Sequence, residues 1–376
     1  VGGAIRDMLL DRPVKERDYV VVGATTEEML SKGFIQVGRE FPVFLHPDTK
    51  EEYALARTEK NHRPGHQGFI VHSSPEVTLE QDLERRDLTI NAMAQDSAGH
   101  LIDPYGGQHD LEQRILRNVS SAFAEDPVRI LRIARFAARY ADLHFRVAEE
   151  TLELMRRMVA SGEVDTLVPE RVWQELVKAL GETCPSPFFL VLEQCGALHR
   201  LFPEIQFSAE TWAALDKASR LSLDTEVRFS ALINAPNPTT AFSHATSSHQ
   251  CQPPVDTLCE RLKAPRRFRD LARLVAGYHD QVEKALELSA AAILHLLLKT
   301  DALRRPERFG QFLLACEAIC PNRQTANKQV WPAAELLRNA LDARDRGKVC
   351  IVGRNPEALW FDDYEDRVIF DEADLF

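Results

Sequence analysis

A chain of 376 residues with 44 % hydrophobic content can bury a large core and form two or more domains. Its 46 basic and 57 acidic residues give a net charge of −11, the reverse of a general nucleic-acid coat protein, so any RNA must be held by a local basic surface. The longest apolar run, residues 290–298, is broken by His295 and falls short of a membrane span; with no signal-like start, the chain reads as cytosolic, with no membrane partner.

Gly2 and Gly3 lead into a short helical pattern over residues 4–10, leaving backbone N–H groups and the positive helix end free to face an anion. This is a candidate phosphate seat. Glu16 and Asp18 follow, one residue apart, at the start of a β-branched run (residues 19–22) that reads as a buried strand. Residues i and i+2 of a strand share a face, so both carboxylates project side by side, as a pair of divalent cations gripping a nucleoside triphosphate requires.

Thr25-Thr26-Glu27-Glu28 signals a helix start, and residues 34–37 read as a second strand. Residues 42–46 and 52–57 read as a strand pair joined by the turn-rich residues 47–50, with Glu52 opening the second strand. The result is a small mixed α/β sheet. Residues 60–68 hold two glycines, a proline and no apolar side chain, and read as a mobile loop. A helix then ends in Arg85-Arg86-Asp87, with a strand expected over residues 89–93, and a turn at residues 103–107 ends the sheet domain.

Beyond Leu111 the pattern stays helical. At about 100° per residue, Arg129, Arg132, Arg135 and Arg139 fall on one side of a helix, with Leu131, Ala134 and Ala138 largely on the other. Only Arg129 has acidic neighbours at helical spacing, Glu125 and Asp126, so the other arginines read as awaiting an external anion. Pro169 opens a further helix, and residues 188–195 and 198–202 continue the pattern. The seven cysteines are scattered without C-x-x-C spacing and read as free buried thiols.

Residues 236–254 are rich in Pro, Thr, Ser, His and Gln, with little to bury. Lys263, Arg266, Arg267, Arg269 and Arg273, then Arg304, Arg305 and Arg308, form the densest basic clusters: either a solvated charged face or a grip on an RNA backbone. The last twenty residues hold eight acidic side chains and one arginine.

Four stretches carry a family resemblance. GG-x-x-RD-x-LL with the carboxylate-x-Asp-x-V that follows, RRD-x-TIN at residues 85–91, EDP-x-R-x-LR-x-x-RF at 125–136 and PER-x-W-x-E at 169–175 resemble, in order, the signatures of class II tRNA nucleotidyltransferases. These are the CCA-adding enzymes, of the superfamily that includes DNA polymerase β. The resemblance implies an α+β fold: a small mixed-sheet nucleotidyltransferase head (residues 1–111), a helical neck with a nucleotide-selecting helix (112–205), a helical body (206–350) and an acidic tail (351–376). It also implies a few more residues ahead of Val1, completing the first strand.

In function, the resemblance implies addition and repair of the 3′-terminal CCA of tRNA from CTP and ATP, without a nucleic-acid template, by two-metal chemistry with Mg²⁺. Glu16 and Asp18 would hold the metals, with Glu52 either a third active-site carboxylate or a solvated edge residue. The family has Asp where Glu16 stands. Gly3 and Arg6 would contact the triphosphate, and Arg86, Arg132 and Arg135 the nucleotide and primer end, although Arg85 and Arg86 also read as helix C-terminal charges. Asp126 and Arg129 would read the base, because a carboxylate beside a guanidinium satisfies the amino donor and ring acceptor of cytosine and adenine and opposes uracil and guanine. A helix cap paired with Arg129 is the other reading of Asp126. Asn234-Ala235 replaces a family His-Asp pair, so residues 234–256 are expected to be a flexible loop in a degenerate phosphohydrolase region without hydrolase activity. A poly(A) polymerase and a tRNA-binding relic are the alternatives.

Overall fold

Gly2 opens the first helix, α1 (Gly3–Leu9), with φ +67°, and its N–H donates to the Met93 carbonyl at 2.9 Å. The positive φ favours glycine, and a Cβ at this position would lie 2.6 Å from Arg86 Nη1 and push that guanidinium aside. The computed structural model describes residues 1–14, 16–37, 43–61, 69–236, 254–320 and 331–345. The chain divides into two compact units, Val1–Pro203 and Glu204–Phe376.

The first unit holds β1 (Asp18–Val21), α2 (Thr26–Ser31), β2 (Ile35–Val37), β3 (Val43–Leu45) and β4 (Glu52–Leu55). Thr25 caps α2 reciprocally with Glu28, the box legible in the sequence. The strands run in the order β1-β4-β3-β2, with β1 parallel to β4 and the rest antiparallel, and Met29, Phe44 and Leu55 form a small core. β1 is an edge strand, not the buried strand expected, and Val22 just beyond it is 47 % exposed. Glu16 lies ahead of the strand rather than in it, because pairing begins at Asp18 opposite Glu52.

β5 (Arg57–Asn61) pairs with β6 (Phe69–Ser73), so Lys60 and Asn61 belong to a strand, while the rest of the expected loop lies outside the described residues. After α3 (Leu79–Glu84) the expected strand over residues 89–93 is instead a buried 3₁₀ turn, Thr89–Asn91. Its side chains explain the difference. Thr89 Oγ1 donates to Asp110 at 2.7 Å and Asn91 Nδ2 to Asp87 at 3.0 Å, local tertiary bonds that override the β-propensity of Thr and Ile.

Next come β7 (Ala94–Gln95), β8 (Leu101–Ile102), α4 (Gly107–Gln113) and β9 (Ile115–Leu116). Asp103 accepts the N–H groups of Gly107 and Gln108 and closes the expected turn. β9 pairs with β10 (Arg146–Val147), a short extra ladder in a stretch that reads as helical. The helices α5 (Val128–Arg139), α6 (Glu149–Ala160), α7 (Pro169–Leu180), α8 (Ser186–Gln194) and α9 (Leu198–Leu201) complete the unit.

α5 is its spine. Ile130, Leu131, Ile133 and Ala134 are fully buried, and the helix packs on α7 and α8. Its arginines are not uncompensated, as their helical spacing suggested, but have carboxylate partners: Arg132 Nε donates to Asp87 at 2.8 Å, Arg135 Nε to Glu175 at 2.6 Å and Arg139 Nη2 to Asp7 at 3.4 Å.

The second unit is helical, with α10 (Ala209–Leu221), α11 (Thr225–Ile233), α12 (Pro254–Arg261), α13 (Arg266–Glu283), α14 (Ala290–Lys299), α15 (Pro306–Ile319) and α16 (Pro332–Asp345). Leu271, Leu296, Phe309, Phe312 and Leu337 are among its core residues. Arg228 is fully buried and donates to the Ser219 and Ser222 carbonyls, satisfying the end of α10. Asn234 Nδ2 donates to the Ser230 and Ala272 carbonyls and so ties α11 to α13. The basic clusters are partly neutralised in place, by Arg267–Glu226, Arg273–Asp256 and Arg304–Asp301 pairs. Cys195, Cys259 and Cys316 are buried as expected, whereas Cys184 is exposed. Most of the predicted flexible loop and all of the acidic tail lie outside the described residues, among which no helix is long and apolar enough to cross a membrane.

The Asp87–Arg132 pair makes a testable contribution to this fold. Burial disfavours the charge on Asp87, but the Arg132 guanidinium, with hydrogen bonds from Asn91 and Arg132, outweighs it and holds the carboxyl at about 2, against an ordinary 3.8. A carboxyl that ionises more readily when folded stabilises the protein above its unfolded value and loses that contribution as pH falls from about 4 towards 2. A shift of this size corresponds to about 2 kcal/mol. Urea denaturation at pH 6 and pH 3 should therefore show a larger acid-induced loss for the parent protein than for Asp87→Asn; equal losses would show that the pair carries no such linkage.

Candidate active site

Two clefts in the first unit meet at one residue. The first, of about 480 Å³, is lined by Glu16, Asp18, Glu51 and Glu52 together with Arg17 and Lys50. Asp18 and Glu52 open adjacent parallel strands in direct register, so they share a face of the sheet edge, and both are exposed. The side-by-side pair is thus Asp18 with Glu52 across two strands, not Glu16 with Asp18 along one; Glu16 joins them from the preceding segment. Among the described residues no three His, Cys, Asp or Glu side chains already converge on a metal-sized point. The three carboxylates nevertheless offer only hard oxygen donors on one open cleft, a set that fits a hard divalent cation.

The second cleft, of about 520 Å³, brings together Gly3, Arg6, Arg86, Asp126, Arg129 and Arg132, with Asp18 at its border. Six of the seven nucleotide-site residues expected from the sequence therefore line one cavity. The seventh, Arg135, does not: it is 8 % exposed and directed at Glu175. The cavity also includes Arg57, Arg85, Asp87, Asn91, Phe136 and Arg171, none of which the sequence marked as a nucleotide-site residue. Arg171 lay in plain sight in the PER-x-W-x-E stretch, and Asn91 in RRD-x-TIN, but neither has a local pattern that reveals its partner.

Each cationic wall is fixed by a polar group from another part of the unit. Arg6 donates through Nε and Nη2 to Asp7 Oδ1 and through Nη1 to Asn91 Oδ1, and its guanidinium lies 5.2 Å from the centre of the Phe136 ring. Arg86 donates to Asp82 at 3.2 Å and to the Asn91 carbonyl at 3.5 Å. Asp82 is 1 % exposed and also binds Arg85; burial opposes its charge, but the two arginines outweigh that and lower its pKa. Tyr140, buried with its hydroxyl on Asp7, has its phenol pushed up to about 12, chiefly by burial.

Both members of the expected base-reading pair line this cavity. Asp126 accepts the Val128 N–H at 3.1 Å, as a helix-capping residue would, and binds Arg171 through both oxygens at 2.7 and 3.2 Å. Arg129 donates to the Ala122 and Arg85 carbonyls. The Asp126 carboxylate and the Arg171 guanidinium stand side by side on the cavity wall, which Arg129 also lines. Chemically, the enclosure is a preorganised anion seat that opens at Asp18 onto a carboxylate edge able to hold metal.

Comparison with known proteins places the chain in a family. The family model described as "Poly A polymerase head domain" matches residues 1–117, and that described as "Probable RNA and SrmB- binding site of polymerase A" matches residues 144–208. The multifunctional CCA protein of Thioalkalivibrio sulfidiphilus is 55 % identical over 361 residues, covering 90 % of this chain and 88 % of the relative. The CCA-adding enzyme of Pseudomonas putida is 52 % identical over 343 residues, covering 91 % and 89 %. The solved structure of the Bacillus stearothermophilus CCA-adding enzyme in complex with CTP shares the fold, with a TM-score of 0.61 at 22 % identity over 91 % of this chain and 77 % of that one. With more than half its residues identical to such a relative across nine tenths of its length, the chain belongs to the family of CCA-adding enzymes, the multifunctional CCA proteins.

Proposed function

We propose that the chain adds and repairs the 3′-terminal CCA of tRNA in the cytoplasm, taking CTP and ATP without a nucleic-acid template and releasing pyrophosphate. The observation that carries the site assignment is Asp18, which borders both the carboxylate cleft and the arginine cavity. A nucleotide with its base and phosphates in the cavity would present its α-phosphorus to the carboxylate edge. Similarity over nine tenths of the chain to CCA proteins favours this activity over poly(A) synthesis.

In the reaction, the tRNA 3′-hydroxyl oxygen bonds to the α-phosphorus, the bond to the β-phosphate oxygen breaks, and the hydroxyl proton is lost. Glu16 and Asp18, with Glu52 beside them, would hold Mg²⁺, which when bound acidifies the hydroxyl and neutralises the leaving pyrophosphate. Gly3, Arg6 and Arg86 seat the triphosphate, and Arg132 extends the cationic wall towards the base. Arg135 acts from behind, fixing α5 through Glu175. Asp126 accepts the exocyclic amino group of cytosine or adenine, with Arg129 and Arg171 flanking it and repelled by the ring N–H of uracil or guanine.

Supplying a tRNA that ends at the discriminator base should separate the activities: with CTP alone the product gains two residues and stops, and added ATP completes it. A ladder of adenylates from ATP alone would mark a poly(A) polymerase. Asp18→Ala should abolish addition while leaving tRNA retention on filters unchanged, and Glu16→Asp should keep or raise turnover; full turnover by Glu16→Ala would remove that residue from the metal site. Asp126→Ala should lose about 1 kcal/mol of stability with its cap and shift incorporation towards UTP and GTP by about tenfold, the scale of a lost bidentate base contact. Unchanged selectivity in the folded variant would leave Asp126 as a cap alone.

A further inference from the structure

Arg6 and Arg132 stand on different elements, α1 and α5, yet one side chain bridges the groups that hold them. Asn91, in the 3₁₀ turn and 7 % exposed, accepts Arg6 Nη1 on its Oδ1 at 2.5 Å and donates Nδ2 to Asp87 Oδ1 at 3.0 Å. Asp87 accepts Arg132 Nε on its other oxygen at 2.8 Å. A guanidinium only donates and a carboxylate only accepts, so a side chain joining them must offer an acceptor on one side and a donor on the other. At this length, that is the carboxamide of asparagine. Aspartate would turn an acceptor towards Asp87, and alanine would remove the acceptor of Arg6 Nη1 and leave Asp87 Oδ1 with the Leu88 N–H but no bond linking it to Arg6.

We propose that Asn91 is a positioning residue that couples Arg6, at the triphosphate seat, to Arg132, on the base-facing helix, so that each arginine is fully placed only when the other is. The inference rests on the assignment of both arginines to the nucleotide site. It gives the enzyme a physical link between phosphate binding and base reading, which a site choosing bases without a template needs: a wrong base disturbing α5 would be felt at the triphosphate. A second route exists, because Phe136 on α5 also lies against the Arg6 guanidinium, and the test must separate the two.

Arg6→Lys and Arg132→Lys keep the charge but lose the guanidinium fork. Measured as kcat/KM for CTP on tRNA ending at the discriminator base, each should lower activity, and the double variant should fall short of the product of the two effects by at least about threefold. In an Asn91→Ala background the two effects should multiply. Asn91→Asp, which keeps the volume of the side chain, should likewise abolish the coupling, and thermal melts establish that each variant is folded. Coupling of undiminished size in either Asn91 background would place the link on Phe136 and overturn the relay, as would simple multiplication in the parent protein. Single variants with unchanged kcat/KM would overturn the nucleotide-site assignment itself, and the relay with it.

Discussion

Pairing of arginine with buried or half-buried carboxylates is the constraint on which this site depends. This cavity concentrates guanidinium groups that repel one another and resist desolvation, a cost that opposite charges and hydrogen-bond acceptors must offset. Here each is tied by an anion or carbonyl: Arg6 by its neighbour Asp7, Arg86 by Asp82 four residues back, Arg132 by Asp87 45 residues away, and Arg129 by two carbonyls. The pairs fix the direction of each fork before substrate arrives, so the ordering cost is met during folding rather than at binding.

The same pairs join the small sheet region to the helices. Asp7 lies on α1, Asp87 follows α3 and Glu175 lies on α7, and all three converge on α5. Holding α5 in this way sets where Asp126 and Arg132 stand relative to the carboxylate edge at Asp18. Fold stability and site geometry therefore draw on one network, and a change at Asp87 reaches both.

Local chemistry was legible in the sequence, and long-range chemistry was not. The Thr25–Glu28 capping box, the Asp103 turn and the opening of β4 at Glu52 each depend on a few neighbouring residues, and each was recovered. The partners of the α5 arginines lie 45, 40 and 132 residues away, so a test of helical spacing could not find them. The turn at residues 89–91 was misread because Thr and Ile favour strands while the decisive bonds run to Asp110 and Asp87. Arg171 escaped notice as a partner of Asp126 for the same reason: a motif displays a residue without showing what it faces.

The central claim is that one cavity, joined to the carboxylates through Asp18, takes the incoming nucleotide. Its most direct test is a crystal structure with magnesium and a CTP analogue that cannot transfer its nucleotidyl group. The triphosphate should lie against Gly3, Arg6 and Arg86, with the α-phosphorus facing Asp18 and the cytosine amino group at Asp126. A nucleotide bound outside this cavity, or lying in it with its base at Arg6 and its phosphates at Asp126, would contradict the account.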